Sequence, residues 1–323
     1  MRLDQVTVFG GSGFLGRYVV ERLADRDVVV RVGVRDPEAA KHLKPLGQVA
    51  QVNPFACDIK DEASVRAAVE GADAVINLVG ILAERGRQTF KALHVDAAGT
   101  IARAAADAGC GAMIQVSAIG ASPSGLSEYS RSKAAGEAAV REAFPSATVV
   151  RPSVIFGPED GFFNLFGGLA RIAPALPLYG GGKTRFQPVY VADVADAIVT
   201  ALFDDTAAGK TYEAGGPRVY TFAELMELLL AEVRRDRMLV PLPFFAGDVL
   251  ATFMELPQKV IRFLPNPPVT RDAMKSLRED NVVAEDALTL SDLGISVTSA
   301  EAILPTYVHR YRKGGRLGRA PIA

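Results

Sequence analysis

Short β-branched runs alternate with longer stretches of helical periodicity through the first half of the chain. Runs at 6–9, 28–34, 49–56, 74–79, 112–117 and 147–156 predict strands, and segments near 14–26, 37–44, 62–71, 89–108 and 129–143 predict helices. The first two runs are rich in valine, as expected of strands buried on both faces of a parallel sheet. Alternation of this kind implies right-handed crossovers and an α/β fold built on a doubly wound parallel sheet. After about residue 157 the rhythm changes. Gly161, Gly167, Gly168, Pro174, Pro177 and Gly180 to Gly182 mark loops around one short aromatic helix. Val189 to Val191 then lead into a helix from Asp193, its expected N-cap, to Phe203. From residue 216 the chain reads as a smaller, mostly helical lobe. The expected division is a first domain at 1–215, with 158–188 contributing to the small lobe, and a C-terminal lobe at 216–323 ending in a basic tail.

Two stretches of the lobe carry a pattern of their own. Between 244 and 264 the chain is mostly apolar, yet Asp248, Thr252, Glu255, Lys259 and Arg262 recur every three or four residues. That spacing puts them on one helical stripe with a wide apolar face opposite. Pro257 is expected to kink or split the helix, and the polar stripe argues against a bilayer span. Packing on its own lobe, a partner helix and a membrane surface all suit such a face. From Arg310 the tail carries Arg312, Lys313, Arg316 and Arg319 with no acid after them, which suits either a solvated end or an aid to docking. Phe162, Phe163 and Phe166 read as core or crevice lining.

Composition narrows the function classes. Lys and Arg number 36 against 37 Asp and Glu, a balance that argues against a nucleic-acid binder. Cys57 and Cys110 are too few for a disulfide framework or a cysteine zinc site, and suit a reducing compartment. His42, His94 and His309 lie far apart without ligand spacing, so no metal is expected. The strand pattern begins at Val6, leaving no room for a secretory signal or transit peptide. No apolar run reaches ~18 residues. The chain is therefore expected in the cytosol or at the cytosolic face of a membrane.

The candidate chemistry starts where the first strand ends. Gly10-Gly11-Ser12-Gly13-Phe14-Leu15-Gly16 spans a strand–turn–helix junction, with glycines at 10, 13 and 16. Gly10 permits the tight turn, Gly13 the approach of a pyrophosphate, and Gly16 close packing of helix on sheet, a Rossmann-type arrangement. Arg35 ends the second strand where a ribose is expected, and arginine pairs with a 2′-phosphate. Asp36 stands beside it, about 20 residues past Gly16, so NADP(H) is favoured and NAD(H) is the fallback. Asp58, before Ile59, suits either an adenine acceptor or a solvated acid at a helix start. Gly80 lies at the carboxyl edge of the sheet, where backbone can approach a cofactor. Ser117 ends the fifth strand, and Tyr129 and Lys133 stand four apart on one helical face. A nearby ammonium is expected to lower the phenol pKa from ~10 towards neutrality, and Ser117 to hold a substrate oxygen.

Gly10, Gly13, Gly16, Ser117, Tyr129 and Lys133 together resemble an extended or atypical short-chain dehydrogenase/reductase. Four further strings narrow the resemblance: Arg151 to Asp160, Asn266 to Asp272, Asp280 to Val283, and Leu293-Gly294-Ile295. Over nearly the whole chain the sequence is similar to the NADPH-binding accessory-subunit family of respiratory complex I, in its alphaproteobacterial form. That resemblance implies a nucleotide held as a structural cofactor, with Ser117, Tyr129 and Lys133 vestigial as catalysts. Ser12, Phe14, Leu15, Asp58, Ile59, Leu78, Val79, Gly80, Pro152 and Ile155 would then also line it. It implies complex I core subunits as partners, near the junction of the peripheral and membrane arms. The place implied is the cytoplasmic side of a bacterial inner membrane, as a peripheral component. Two other readings stay open: a free cytoplasmic NADP-dependent oxidoreductase or epimerase using Tyr129 as acid/base, and a nucleotide-sensing regulator.

Overall fold

The computed structural model describes residues 3–260 and 269–315, the side chains of 257–260 excepted. Along the chain run β1 (Gln5–Phe9), α1 (Phe14–Ala24), β2 (Val29–Val34), β3 (Val52–Ala56), α2 (Glu62–Val69), β4 (Ala74–Asn77), α3 (Ala97–Asp107), β5 (Ala112–Val116), α4 (Glu128–Ala143) and β6 (Thr148–Pro152). Then follow β7 (Ile155–Phe156), α5 (Phe163–Ile172), β8 (Ala175–Tyr179), β9 (Arg185–Phe186), β10 (Val189–Tyr190), α6 (Val191–Phe203) and β11 (Thr211–Ala214). The last are β12 (Tyr220–Thr221), α7 (Phe222–Val233), β13 (Met238–Leu242), α8 (Phe244–Val260), α9 (Arg271–Ser276), β14 (Leu288–Thr289) and α10 (Ala300–Tyr307). Two compact units divide the chain. One comprises Met1–Pro152, Val191–Ala214 and Ala284–Ser296; the other takes Ser153–Tyr190, Gly215–Val283 and Val297–Ala323.

The first unit is a parallel sheet in the order β14-β11-β6-β5-β4-β1-β2-β3 among the described residues. Val8 sits between Val32 and Ile76 in register. Side chains of α2, α3 and α4, such as Val65, Ile101 and Val140, close over Phe9, Val75 and Met113. α1 packs against α6. This is the doubly wound Rossmann-type fold expected. β1 separates β4 from β2, so the direction of winding reverses there and a crevice opens at the carboxyl ends of β1 and β4.

Several boundaries differ from the periodicity for local reasons. The run at 49–56 starts as a strand only at Val52, because Ala50 takes a φ of 64° in a turn closed by Gln51 N–H on Gln48 O. The helix expected at 37–44 is a 3-10 turn over Lys41–Leu46, where Pro45 lacks the N–H an α-helix needs. The segment 89–108 opens with a π turn at Lys91–Asp96 before α3. The run at 147–156 splits at Pro152 into β6 and β7, which belong to different units. Asp193 is no N-cap: β10 feeds straight into α6 at Val191, leaving Asp193 buried in the first turn.

The second unit gathers its core from Phe156, Phe163, Leu176, Phe186, Phe222, Leu225 and Leu304. Phe163 is fully buried, and Phe162 and Phe166 pack against this core, as their spacing suggests. β8 pairs with β13 in parallel, and α7 starts on a capping box between Thr221 and Glu224. α8 carries on past Pro257 to Val260 without a break. Two residues of its polar stripe are engaged beside the buried Gly247 and Ala251: Asp248 pairs with Arg278, and Glu255 accepts the Arg271 N–H at 2.8 Å. Phe245, Val249, Phe253 and Leu256 on the same helix are exposed. The start of the tail is anchored, Arg310 donating to Pro158 O and Arg312 to Glu232 O. Arg262, Asn266 to Pro268, Arg316, Arg319 and the Lys259 side chain lie outside the described residues.

Candidate nucleotide-binding site

At the end of β1 the chain turns through Gly10 at φ 80°, where a Cβ would also lie 3.2 Å from Leu78 C and Val79 N. Gly13 N–H closes the turn on Gly10 O at 3.0 Å. A Cβ on Gly16 would come within 2.4 Å of the same oxygen, so the α1 backbone rests directly on the loop. Gly13 is the N-cap, extended and with no side-chain cap, and the first turn of α1 holds no acid. The leading N–H groups and positive dipole end are thereby left for an anion. Ser12 and Phe14 are half-buried beside them and Leu15 is buried.

Leu78 and Val79 leave β4 tied to the sheet, Leu78 N–H to Phe9 O (2.9 Å) and Val79 N–H to Asn77 Oδ1 (3.1 Å). Gly80 faces Lys133, since a Cβ there would lie 3.2 Å from Nζ and 3.8 Å from His94 Nε2. Lys133 is buried on α4 and donates to Val116 O at 3.3 Å, one residue before Ser117. Ser117 Oγ is buried and makes no hydrogen bond among the described residues. The Tyr129 ring centroid lies 5.9 Å from Lys133 Nζ. Burial pushes the phenol up to about 12 and the ammonium down to about 8. The lowered phenol pKa expected from the sequence is therefore not met: the lysine is itself desolvated, and burial dominates at both groups.

The spacing of residues gave no sign of His94. The π turn carries it under Gly80, where it is 2% exposed and edge-on to Tyr129 at 5.6 Å. Nε2 accepts the Ile81 N–H at 3.0 Å, which fixes the proton on Nδ1. Nδ1–H donates to Ser132 Oγ at 2.8 Å, and that hydroxyl donates to Tyr129 O at 2.8 Å. Burial and the charge of Lys133 lower the ring pKa to about 3, so it is a neutral strut between the loop after β4 and α4.

The remaining candidates separate. Arg35 is exposed at the end of β2 and has no ion pair among the described residues. Asp36 Oδ1 accepts the N–H groups of Glu38 and Ala39 at 3.0 and 3.2 Å, so that carboxylate caps its own turn. Asp58 Oδ1 likewise accepts Lys60 N–H at 3.1 Å, and Ile59 packs on the core of the unit. Pro152 ends β6 and accepts Ile119 N–H at 3.0 Å. Ile155 lies outside this unit, on β7. An uncapped helix start, a loop without room for side chains, an orphaned buried hydroxyl and an exposed arginine together fit a dinucleotide.

The family model described as NAD dependent epimerase/dehydratase matches residues 6–215. The chain belongs to that family. Members of the epimerase/dehydratase family bind NAD or NADP. Similarity to known proteins extends further along the chain. Over 315 residues it is 41% identical to subunit 9 of the mitochondrial NADH dehydrogenase (ubiquinone) 1 alpha subcomplex of Arabidopsis thaliana, covering 96% of this chain and 78% of the relative. The Mus musculus subunit of the same name is 37% identical over 309 residues, 95% of this chain and 80% of its own length. A solved dTDP-glucose 4,6-dehydratase of Streptomyces venezuelae with NAD bound superposes with a TM-score of 0.72 at 21% identity, over 95% of this chain and 96% of that one. That likeness is one of fold.

Proposed function

We propose that this epimerase-family chain is an NADP(H)-binding accessory subunit of a proton-pumping NADH:quinone oxidoreductase, its nucleotide structural rather than turned over. The observation that carries this reading is the reach of the similarity. The epimerase/dehydratase match ends at residue 215, whereas the 41% identity to a complex I subunit covers 96% of the chain. The second unit is thus shared with those relatives, and a generic nucleotide site does not account for it.

In this reading the pyrophosphate lies along Gly10, Ser12, Gly13, Phe14, Leu15 and Gly16, and Arg35 takes the 2′-phosphate because Asp36 is committed to its own turn. Asp58 and Ile59 flank the adenine, and Leu78, Val79, Gly80 and Pro152 line the remainder. Ser117, Tyr129 and Lys133 hold the nicotinamide ribose. A bound nicotinamide supplies hydride chemistry, but a phenol pushed to about 12 is a poor proton exchanger at neutral pH, which supports retention over turnover. Retained nucleotide stabilises the fold by mass action.

The partners proposed are core subunits near the junction of the peripheral and membrane arms, on the cytoplasmic face of an inner membrane. Among the described residues no helix is long and apolar enough to cross a membrane. The exposed Phe245, Val249, Phe253 and Leu256 supply the kind of apolar face that an assembly covers. Gentle detergent extraction of native membranes, following this chain beside NADH:quinone oxidoreductase activity, tests the reading. Co-migration with the active complex and release of NADPH on denaturation are expected. A soluble chain that exchanges NADPH freely would overturn it.

A further inference from the structure

In the second unit a cleft of about 460 Å³ opens beside the end of α7, lined by Arg234, Arg235 and Arg237 with Glu227, Asp236 and Leu239. Arg234 takes the left-handed conformation at φ 51°, which turns the chain off the helix and gathers the three arginines in one concavity. Two of them are fixed by neutral acceptors. Arg235 Nε donates to Tyr311 O at 2.7 Å, and Arg237 donates to Ala170 O through Nε (2.8 Å) and to Asp236 O through Nη1 (3.0 Å). Arg171 stands close enough for its charge to act on Arg235, together with that of Arg237. Among the described residues none of these four arginines has a carboxylate within ion-pair distance, whereas Arg218, Arg278 and Arg312 of the same unit each do. Glu227 and Asp236 offset part of the charge and leave the cleft positive. Like charges held together and only partly neutralised raise the energy of the empty site and favour an anion.

We propose that this cleft binds a phosphate group through the guanidinium forks of Arg234, Arg235 and Arg237. Planar forks match phosphate oxygens two at a time, and anchoring Arg235 through Nε and Arg237 through Nε and Nη1 leaves their remaining N–H groups, Nη2 of each among them, pre-oriented. Leu230 and Leu239 in the lining and the exposed Met238 beside it suit an organic phosphate over a bare ion. The site lies in the opposite unit from the Gly10–Gly16 loop and is independent of it.

The test uses the full chain saturated with NADPH and inorganic pyrophosphate as the probe. Arginine modification by phenylglyoxal, mapped by mass spectrometry on the unaltered protein, reads the site directly. Pyrophosphate is expected to slow modification of Arg234, Arg235 and Arg237 by about tenfold and to leave Arg218 unchanged. A double variant, Arg234→Gln with Arg237→Gln, is expected to weaken pyrophosphate binding about 100-fold in calorimetry at low salt, tenfold per fork. Vesicles of phosphatidylcholine with phosphatidylglycerol, against phosphatidylcholine alone, separate the sources. Protection by anionic vesicles at lower phosphate concentration than by pyrophosphate assigns a lipid headgroup, and the reverse assigns a free organic phosphate. Protection by neither, or protection equal to that at Arg218, overturns the site.

Discussion

His94 is held neutral by burial and by Lys133 while both its ring nitrogens are spent on Ile81 and Ser132. Its pKa falls from 6.5 to about 3 on folding, so below pH 6.5 the unfolded chain takes up a proton that the native one refuses. Stability from this group is complete above pH 6.5 and is lost as pH falls towards 3. Between pH 6.5 and 5 the loss is on the order of 1–2 kcal/mol. His94→Asn should therefore be less stable at pH 7, by about 1–3 kcal/mol for the broken hydrogen bonds, yet lose less stability on acidification. Urea unfolding at pH 7, 6.5 and 5 checks both; parallel acid slopes would remove the histidine from the account. Gly16 is constrained by space instead of charge. A methyl there meets Gly10 O at 2.4 Å, and the clash is with backbone, which cannot swing aside. Gly16→Ala should cost about 1–3 kcal/mol and displace the loop, raising the Kd for NADPH at least tenfold in a fluorescence titration. Undiminished affinity would place the phosphates elsewhere.

Arg151 ties α4, β6 and β11 together. Its Nε and Nη2 reach Glu137 at 2.9 and 2.7 Å, its Nη1 lies 3.5 Å from Glu213, and Glu213 accepts Ala284 N–H at 3.0 Å. Both carboxylates are buried, so Arg151→Leu strands two charges and should cost about 3–5 kcal/mol in chemical denaturation. A loss under about 1 kcal/mol would mean that water reaches the pair as it does at a surface bridge. Elements defined by local rules were legible in the sequence: the helical periodicity placed α2 and α4, and Val6, Val8, Val30, Val32 and Val34 of the valine runs are buried. So was the closeness of Gly10, Gly13 and Gly16, and of Tyr129 and Lys133, since backbone spacing alone sets it. Contacts between distant segments were not legible. Residues 147–156 read as one strand because nothing in their β-branched pattern marks the passage to another unit after Pro152. His94 gave no signal because a π turn and a facing helix place it. The sign of the Tyr129 shift was missed for a related reason: charge can be read from sequence, but the burial that outweighs it cannot.

Each unit is assembled from three segments that alternate along the chain, so neither is a contiguous domain. A fragment ending at Gly215 would match the family range and keep Gly10–Gly16, Arg35, Ser117, Tyr129 and Lys133, yet it would lack Ala284–Ser296. That short segment closes the first unit. Leu288 and Thr289 pair with Tyr212 and Glu213, Ala284 N–H satisfies Glu213, and the 3-10 turn Leu290–Leu293 packs against α6 with Leu290 and Leu293 buried. Removing it opens β11 as a bare edge and uncovers two leucines worth about 1.5–3 kcal/mol each, against about 5–15 kcal/mol for a whole domain. The fragment 1–215 should accordingly aggregate or unfold without a cooperative transition, and bind NADPH weakly although every loop residue is present. The full chain should unfold at higher urea when NADPH is added, because ligand that binds only the native state adds RT ln(1 + [L]/Kd) to stability. Far-ultraviolet circular dichroism against urea, with and without NADPH, compares the two. A cooperative fragment whose midpoint and NADPH response equal those of the full chain would show that the closing segment adds nothing to the nucleotide site, and that the match at residues 6–215 is a folding unit by itself.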